Sequence, residues 1–206
     1  MRSESFSENT SITVVKLGCS LAPYCDKIIP VLQTANRSLL IVPGGGTFAN
    51  NVRDSPVRDD PDASHWMACA AMDQYGYMLS RQGIKTTAKL AIPTEPRIFL
   101  PYCTLRRFDP LPHSWDLTSD TIAAWVADKL HCDLVVLKSV DGIISHGKVL
   151  SSVTEPVKTE TVDPAFIPFV ISHKVKTFVF NGTNNKRVKD WVDGKPVPGT
   201  VIGTTF

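Results

Sequence analysis

The sequence predicts a three-layer α/β sandwich with a mainly parallel central sheet. The alternation of elements along the chain supports this prediction. Short apolar runs that end in glycine or proline turns alternate with longer segments of helical spacing along most of the 206 residues, and such alternation is typical of parallel strands joined by helices. The length suits one sizeable hydrophobic core, so we expect a single domain over residues 1–206.

The first three elements lie between residues 11 and 46. The apolar run SITVVKLG predicts a buried strand that ends near Lys16 and Gly18. The next segment, APYCDKIIPVLQTAN, has the apolar spacing of a helix, although Pro30 interrupts it. SLLIVPGGG then predicts a second strand, which ends in a turn at Pro43 and the glycines that follow it.

The next stretch predicts a loop, a helix and two short strands. RDSPVRDDPDAS (53–64) is charged and proline-rich, so we expect an exposed loop. SHWMACAAMDQYGYMLSRQG predicts a helix with a largely apolar body, with Ser64 as its N-cap and Gly83 as its C-cap. KLAIP (89–93) and RIFLPY (97–102) are short apolar runs that predict strands.

The last part of the chain predicts two helices and three strands. TSDTIAAWVADKLH begins with Thr118 or Ser119 as its cap and carries Asp120 in its first turn, where the helix dipole favours an anion. CDLVVLKSVDGI predicts a strand and its turn, and residues 147–165 predict an irregular excursion. KTFVFNG and TVIGT predict two late strands, and NNKRVKDWV between them predicts a short helix.

The composition excludes several classes of function. A formal net charge of +2 gives no reason to expect nucleic acid or a membrane as a partner. No apolar run approaches the ~20 residues of a membrane helix, and the polar start MRSESFSENT is unlike a secretory signal. The five cysteines include no C-x-x-C pair, so neither a disulfide framework nor a zinc site is indicated. We therefore expect a cytoplasmic protein.

Four segments with chemically useful side chains fall at predicted strand ends or helix starts, at residues 16–20, 43–46, 118–120 and 138–142. In a parallel sheet these segments converge on one edge. Lysines and glycine turns suit phosphate oxygens, and an aspartate can hold the lysines or bind a metal. Each segment alone also fits an ordinary strand exit, turn or helix start. Their occurrence together indicates phosphoryl transfer.

Other catalytic motifs fit less well. The Walker A pattern G-x-x-x-x-G-K-[ST] and the hydrolase pattern G-x-S-x-G do not occur. GGGTFA (44–49) loosely fits the dinucleotide-binding pattern, but Pro43 before it and the proline-rich stretch after it argue against a helix that opens directly at the glycines. The five histidines show neither H-x-x-x-H nor H-E-x-x-H spacing, so no metal site is predicted.

Four segments of the chain, taken in order, resemble the amino acid kinase superfamily, whose members bind ATP without a Walker A loop. These segments are VVKLGCSL, LLIVPGGGTFANNVR, TSDTIAAWVADKL and LVVLKSVDGI. SHWMACAAMDQYG and LPHSWDLTSDTIAAW are similar to one branch, the small kinases of methanofuran biosynthesis. This branch phosphorylates the phosphate ester of 5-(aminomethyl)-3-furanmethanol to its diphosphate. The resemblance covers residues 13–146 well and is looser over 176–202.

The resemblance implies a role for each matching residue, and it implies no metal ligand. The catalytic positions of the family match Lys16, Asp120 and Lys138. The positions that bind ATP and its phosphates match Gly18, Cys19, Ser20, Asp141 and Gly142. The positions on the side of the phosphoryl acceptor match Gly44, Gly45, Gly46, Arg53 and Ser119.

The resemblance further implies ATP and Mg²⁺ as cofactors, a small-molecule phosphate acceptor as partner, and a homo-oligomer. Two alternatives remain open: a kinase of another carboxylate or phosphate acceptor, and a non-catalytic relative that binds nucleotides or anions. The sequence departs from the family pattern K-x-G-G-S at Cys19, and Asn50 stands where an aspartate is expected. If the backbone at Cys19 needs a positive φ, the cysteine costs roughly 1 kcal/mol or more.

Overall fold

The computed structural model describes residues 12–203, and an eight-stranded sheet forms its centre. Along the sheet, the strands follow the order β3-β4-β2-β1-β5-β9-β10-β8, and all neighbours are parallel except β9 and β10. A separate antiparallel ribbon consists of β6 and β7. The strands are β1 (Thr13–Leu17), β2 (Leu39–Pro43), β3 (Thr86–Thr87), β4 (Arg97–Phe99), β5 (Asp133–Lys138), β6 (Ile144–Ser145), β7 (Lys148–Val149), β8 (Ser152–Val153), β9 (Thr177–Asn181) and β10 (Thr200–Ile202).

Helices cover both faces of the sheet, which confirms the predicted α/β architecture with a mainly parallel sheet. Within the described range they are α1 (Cys25–Gln33), α2 (Gly46–Arg53), α3 (Pro61–Ser80), α4 (Tyr102–Phe108), α5 (Ser119–Leu130), α6 (Phe166–Ser172) and α7 (Asn185–Val192), with two short 3₁₀ helices at Cys19–Tyr24 and Pro56–Asp59. α5 and α6 pack on the face that includes Val14 and Val136. α1 and α7 pack on the face that includes Val15 and Val135, because successive strand residues point to opposite faces.

The central strand β1 explains how the functional segments meet. All five of its residues are buried, since it pairs in parallel with β2 on one side and β5 on the other, and both faces are covered. In this register Lys16 lies opposite Val42 and Val136. The three strands therefore end at the same edge, and the segments after β1 and β2 meet the end of β5 there.

Three sequence predictions for residues 44–64 are wrong. A helix does open at the glycines, because α2 begins at Gly46, whose φ of +59° favours glycine and whose Cβ position would lie 2.6 Å from the ring of Tyr75. The charged stretch is largely helical and contains the first turn of α3. Asp60 is the N-cap of α3 in place of Ser64, since its side chain accepts the N–H of Ala63 at 3.0 Å. Pro61 at the first helical position supports this start.

The middle of the chain departs from the predictions in three further places. KLAIP (89–93) forms no strand; the short β3 precedes it, and Ile92 is half exposed. α3 has Arg81 as its C-cap, and Gly83, with a φ of +109°, follows two residues later. Only the first part of RIFLPY is a strand, because α4 begins at Tyr102. Such short elements depend on tertiary packing more than on local pattern.

The late segments follow the predictions more closely. The helix predicted from NNKRVKDWV is α7, and the side chain of Asn184 caps it by accepting the N–H of Arg187 at 3.2 Å. The predicted excursion at residues 147–165 contains β8, which pairs with β10 at the edge of the sheet. α6, which follows the excursion, had not been predicted.

Two observations bear on a membrane or a leader segment. Between residues 12 and 203, no helix is both apolar enough and long enough to cross a lipid bilayer. The polar segment on which the expectation of no secretory signal rests lies outside the described residues.

Candidate active site

A buried cluster of two lysines and one aspartate lies at the carboxyl edge of the sheet. Lys16 is in β1, Lys138 is the last residue of β5, and Asp120 is in the first turn of α5. Asp120 Oδ1 lies 2.5 Å from Lys16 Nζ, and Asp120 Oδ2 lies 2.6 Å from Lys138 Nζ. The structure thus brings together the three residues to which the resemblance gives a catalytic role, and one carboxylate holds both ammonium groups.

The charges of this cluster shift one another's pKa values. Burial acts to raise the pKa of Asp120, but the two lysines outweigh it and lower that pKa to about 2. Burial acts to lower the pKa of Lys16, but the attraction of Asp120 outweighs it, and the pKa of Lys16 is raised. The pKa of Lys138 is lowered, because burial and the charge of Lys16 together outweigh Asp120. With both lysines protonated, the cluster has one excess positive charge, which suits an anion.

Asp163, a residue that no sequence motif singled out, positions the first turn of α5. Its carboxylate accepts hydrogen bonds from the backbone N–H and hydroxyl of Thr118, at 3.0 and 2.9 Å, and from those of Thr121, at 3.1 and 2.5 Å. Thr118 is the N-cap residue of α5, yet its own side chain makes no cap hydrogen bond to the helix. Asp163 therefore accepts hydrogen bonds from backbone N–H groups at the N-terminus of α5, the helix that carries Asp120. No local pattern could indicate this role across more than forty residues.

The glycine turn after β2 lies directly against Cys19. The N–H of Gly46 donates a hydrogen bond to Cys19 Sγ at 2.8 Å, and a Cβ on Gly44 would come within 2.5 Å of the sulfur. The sulfur therefore occupies the space in front of the first amide of α2, at the positive end of the helix dipole. Cys19 does not have a positive φ, so the backbone strain considered above does not arise. The cysteine changes what faces the turn and leaves the backbone unstrained.

A cavity of about 260 Å³ opens beside the cluster. The Arg53 guanidinium lies 4.8 Å above the Trp115 ring, and both side chains line the cavity. Four of the five residues matched to the acceptor side also line it: Gly45, Gly46, Arg53 and Ser119. The fifth, Gly44, lies just behind the wall, against Cys19 and Ser119. The lysine–aspartate cluster, Gly18 and Cys19 complete this part of the wall. Trp115 and His65 also line the cavity, although no sequence motif indicates a role for either.

A second cavity, of about 800 Å³, lies on the other side of Lys138. Ser20 and Lys138 line both cavities, so they stand between the two. The remaining walls of the second cavity come from two stretches of the chain: Ser139, Val140, Ile144, His146 and Gly147 in the first, and residues 158–161 in the second. A ligand on either side would therefore place a phosphate near Lys138.

Asp141 and Gly142 lie outside the walls of both cavities. Asp141 accepts hydrogen bonds from Asn181 Nδ2 at 3.1 Å and from Arg187 Nη1 at 2.5 Å, which lower the pKa of its carboxyl. Gly142 packs against Thr200, whose Oγ1 would lie 2.3 Å from an added Cβ. The nucleotide-binding role of these two residues stays a prediction.

The described part of the chain contains no group of three or more His, Cys, Asp or Glu side chains that could hold a metal ion. Both carboxylate oxygens of Asp120 already contact lysines.

Comparison with known proteins gives one similar sequence and several similar structures. No protein-family model matches the chain. The chain is 31% identical over 201 residues to the [5-(aminomethyl)furan-3-yl]methyl phosphate kinase of Methanocaldococcus jannaschii, which covers 88% of this chain and 93% of that protein. The structure of the present chain is similar to that of uridylate kinase from Archaeoglobus fulgidus, with a TM-score of 0.63 at 19% identity over 92% of this chain and 99% of that one. It is also similar to isopentenyl phosphate kinase, with a TM-score of 0.60 at 14% identity over 93% and 100%. These structural similarities establish a shared fold.

Proposed function

The chain belongs to the amino acid kinase superfamily and, within it, to the family of the aminomethylfuran phosphate kinase, and from this premise we propose its reaction. It is an ATP-dependent kinase that converts the phosphate ester of 5-(aminomethyl)-3-furanmethanol, here called the furan phosphate, to its diphosphate for a methanofuran-type cofactor. The observation that carries the proposal is the buried pair of lysines on one carboxylate, placed between a small cavity and a larger one.

The mechanism is a direct in-line transfer. An oxygen of the furan phosphate attacks the γ-phosphorus of ATP, and the bond to the β,γ-bridging oxygen breaks to release ADP. Lys16 and Lys138 stabilise the charge that develops on the equatorial and bridging oxygens. Asp120 does not accept a proton, since its pKa is about 2 and both its oxygens contact lysines. No base is required, because a phosphate monoester with a second pKa of about 6 is largely ionised at neutral pH.

Mg²⁺ fits this site as an ion that the nucleotide carries. Mg²⁺ commonly keeps several waters and binds substrate phosphates, with few protein carboxylates. Both oxygens of Asp120 contact lysines, so the phosphates of the nucleotide would hold the ion. When bound, the ion would neutralise negative charge on the β- and γ-phosphates. The chain would add the two ammonium groups of the cluster.

The small cavity suits the furan phosphate. Its volume of about 260 Å³ is appropriate for one small ring with short substituents. Arg53 stacks on Trp115, which leaves the edge of its guanidinium free for a bidentate contact with a phosphate. The apolar side chains of Met72 and Ile122 also line the cavity and can contact the ring. The phosphate end of the acceptor would then face the lysine cluster.

The test is ADP release from ATP with and without the furan phosphate. We expect release that depends on this acceptor. ADP release only with a different phosphate or carboxylate acceptor would support the kinase and refute this substrate. Nucleotide binding without ADP release in the presence of any acceptor would contradict a kinase and favour a binding protein on the same fold.

Arg53→Ala is expected to raise the KM for the furan phosphate by about tenfold or more, because it removes a charged hydrogen-bond donor to the acceptor phosphate. The KM for ATP should change little, since Arg53 does not line the second cavity. Arg58→Ala, in the short helix that follows, is the matched control, because Arg58 is exposed and pairs with the exposed Asp59. Equal acceptor KM values for the two variants would remove Arg53 from the acceptor site.

Cys19→Gly is expected to keep the fold and to keep or increase kcat. The substitution frees the N–H of Gly46 for a phosphate oxygen and adds no strain. Cys19→Ser, which keeps a small hydrogen-bond acceptor at the same place, should remain close to the unmodified protein. Steady-state kinetics and denaturant unfolding of both variants provide the measurement. A fall in kcat of about tenfold or more in Cys19→Gly without loss of stability would show that the thiol contributes to transfer.

A further inference from the structure

His113 is held between two carboxylates close to the small cavity. Its Nδ1 lies 2.6 Å from Asp62 Oδ1, and its Nε2 lies 2.9 Å from Asp109 Oδ1. A neutral imidazole has one N–H and one lone pair, so only the protonated ring donates a hydrogen bond to both carboxylates. We call these three residues the His113 clamp.

The clamp ties one wall of the small cavity to α3. His113 belongs to the segment between α4 and α5, and this segment contributes Ser114, Trp115 and Leu117 to the cavity wall. Asp62 lies in the first turn of α3. At its other end the segment is fixed by the hydrogen bonds between Thr118 and Asp163. The clamp thus holds the end of the wall that Asp163 does not reach.

We propose that protonated His113 is a positioning residue for the phosphate acceptor, because the clamp fixes Trp115 and, through it, the Arg53 guanidinium. The proposal rests on the proposed function. His113 itself does not line the cavity. It acts through Trp115, two residues later in the chain, and through His65, whose ring stacks on His113 with 4.0 Å between centroids and does line the cavity.

The groups that face His113 favour its protonated form. Asp62 and Asp109 accept its two hydrogen bonds. His65 is neutral, because burial and the charge of His113 lower its pKa to about 4. Arg106 lies over Trp66, whose ring meets His113 edge-on at 4.9 Å.

The direction of the pH effect follows from the clamp. Burial acts to lower the pKa of His113, but the two carboxylates outweigh it, so the pKa is raised above the usual 6.5. The clamp is therefore complete below this raised pKa and is lost as the pH rises through it. One ring nitrogen then directs a lone pair at a carboxylate, and the wall loosens. Acceptor affinity should decrease as the pH rises through the pKa of His113.

The experiment compares the acceptor KM, the ATP KM and kcat between about pH 6 and about pH 9. In His113→Gln we expect an acceptor KM about tenfold higher at the acid end, with little change in kcat or in the ATP KM. The increase of the acceptor KM with pH should be smaller in the variant. The increase that is left is caused by titration of the substrate phosphate and the lysines. Asp62→Asn should move the rise to lower pH. His173→Gln, an exposed histidine stacked on Phe169, is the control and should match the unmodified protein.

Acceptor KM curves that coincide for His113→Gln and the unmodified protein would overturn the proposal, even if the furan phosphate is a good substrate. Absence of any acceptor turnover would instead refute the proposed function. In that case, NMR titration of labelled histidines in the full chain still decides the clamp. A His113 pKa above its usual value that decreases in Asp62→Asn supports it, and an ordinary pKa that is unchanged in Asp62→Asn overturns it.

Discussion

Lys16→Met should lower kcat by about 10²–10³-fold, the loss typical for removal of one preorganised charge that contacts the transferred group. Lys16 is 3% exposed, and Asp120 raises its pKa, so its charge is fixed in place before substrate binds. Methionine keeps most of the side-chain volume and removes the ammonium. The excess positive charge of the cluster disappears with it, so the affinity for ATP should also decrease.

The variant should still fold, because Asp120 keeps Lys138 as its partner. We expect the free energy of unfolding to decrease by roughly 1–3 kcal/mol, less than for loss of the carboxylate itself. Lys129→Met is the control, since Lys129 is exposed on the same helix as Asp120 and pairs with Asp128 at 3.5 Å. Single-turnover and steady-state rates with saturating substrates measure the effect. A kcat within about threefold of the unmodified protein would exclude Lys16 from the chemical step.

The positions of the cluster residues could be predicted because each follows from a strong local signal. Lys16 and Lys138 stand at the ends of apolar runs, and Asp120 stands after a helix cap. Parallel pairing of β1 with β5 then brings strand ends to one edge whatever the details of packing. The register between strands, which no local pattern specifies, sets the distances of 2.5 and 2.6 Å.

The residues that escaped prediction act across long distances in the chain. Asp163 caps α5 from an excursion that has no periodic pattern. Trp115 faces the cavity because the clamp and the Arg53 stack hold its segment, and neither contact has a sequence signature. The conformation of Cys19 was uncertain for the same reason: whether a residue in a turn has a positive φ depends on its neighbours in space. Here those neighbours are Gly44 and Gly46.

Asp120 links stability and activity through charge. Its pKa is about 2 in the folded protein, below the value of about 3.9 for an unfolded chain. A carboxyl with a lowered folded pKa stabilises the fold above its unfolded pKa, and this contribution is lost as the pH decreases through that value toward about 2. Part of the acid denaturation of this protein should therefore come from Asp120, and Asp120→Asn should remove that part.

Asp120→Asn should cost about 3–5 kcal/mol of unfolding free energy at neutral pH, because two buried ammonium groups lose their only counterion in the cluster. The pKa of Lys138, already lowered by burial and by Lys16, should decrease further. A lysine with a lowered folded pKa binds fewer protons when folded than when unfolded, so the stability of the variant should increase with pH.

The residual activity of this variant should change in the opposite direction, since it needs the protonated lysine and should increase as the pH falls. Urea unfolding and kcat measured over the same pH range test both trends. Asp128→Asn on the same helix, where the carboxylate pairs with the exposed Lys129, should change stability by less than about 1 kcal/mol. An Asp120→Asn protein with unchanged stability and parallel pH trends would show that the carboxylate does not control the two lysines.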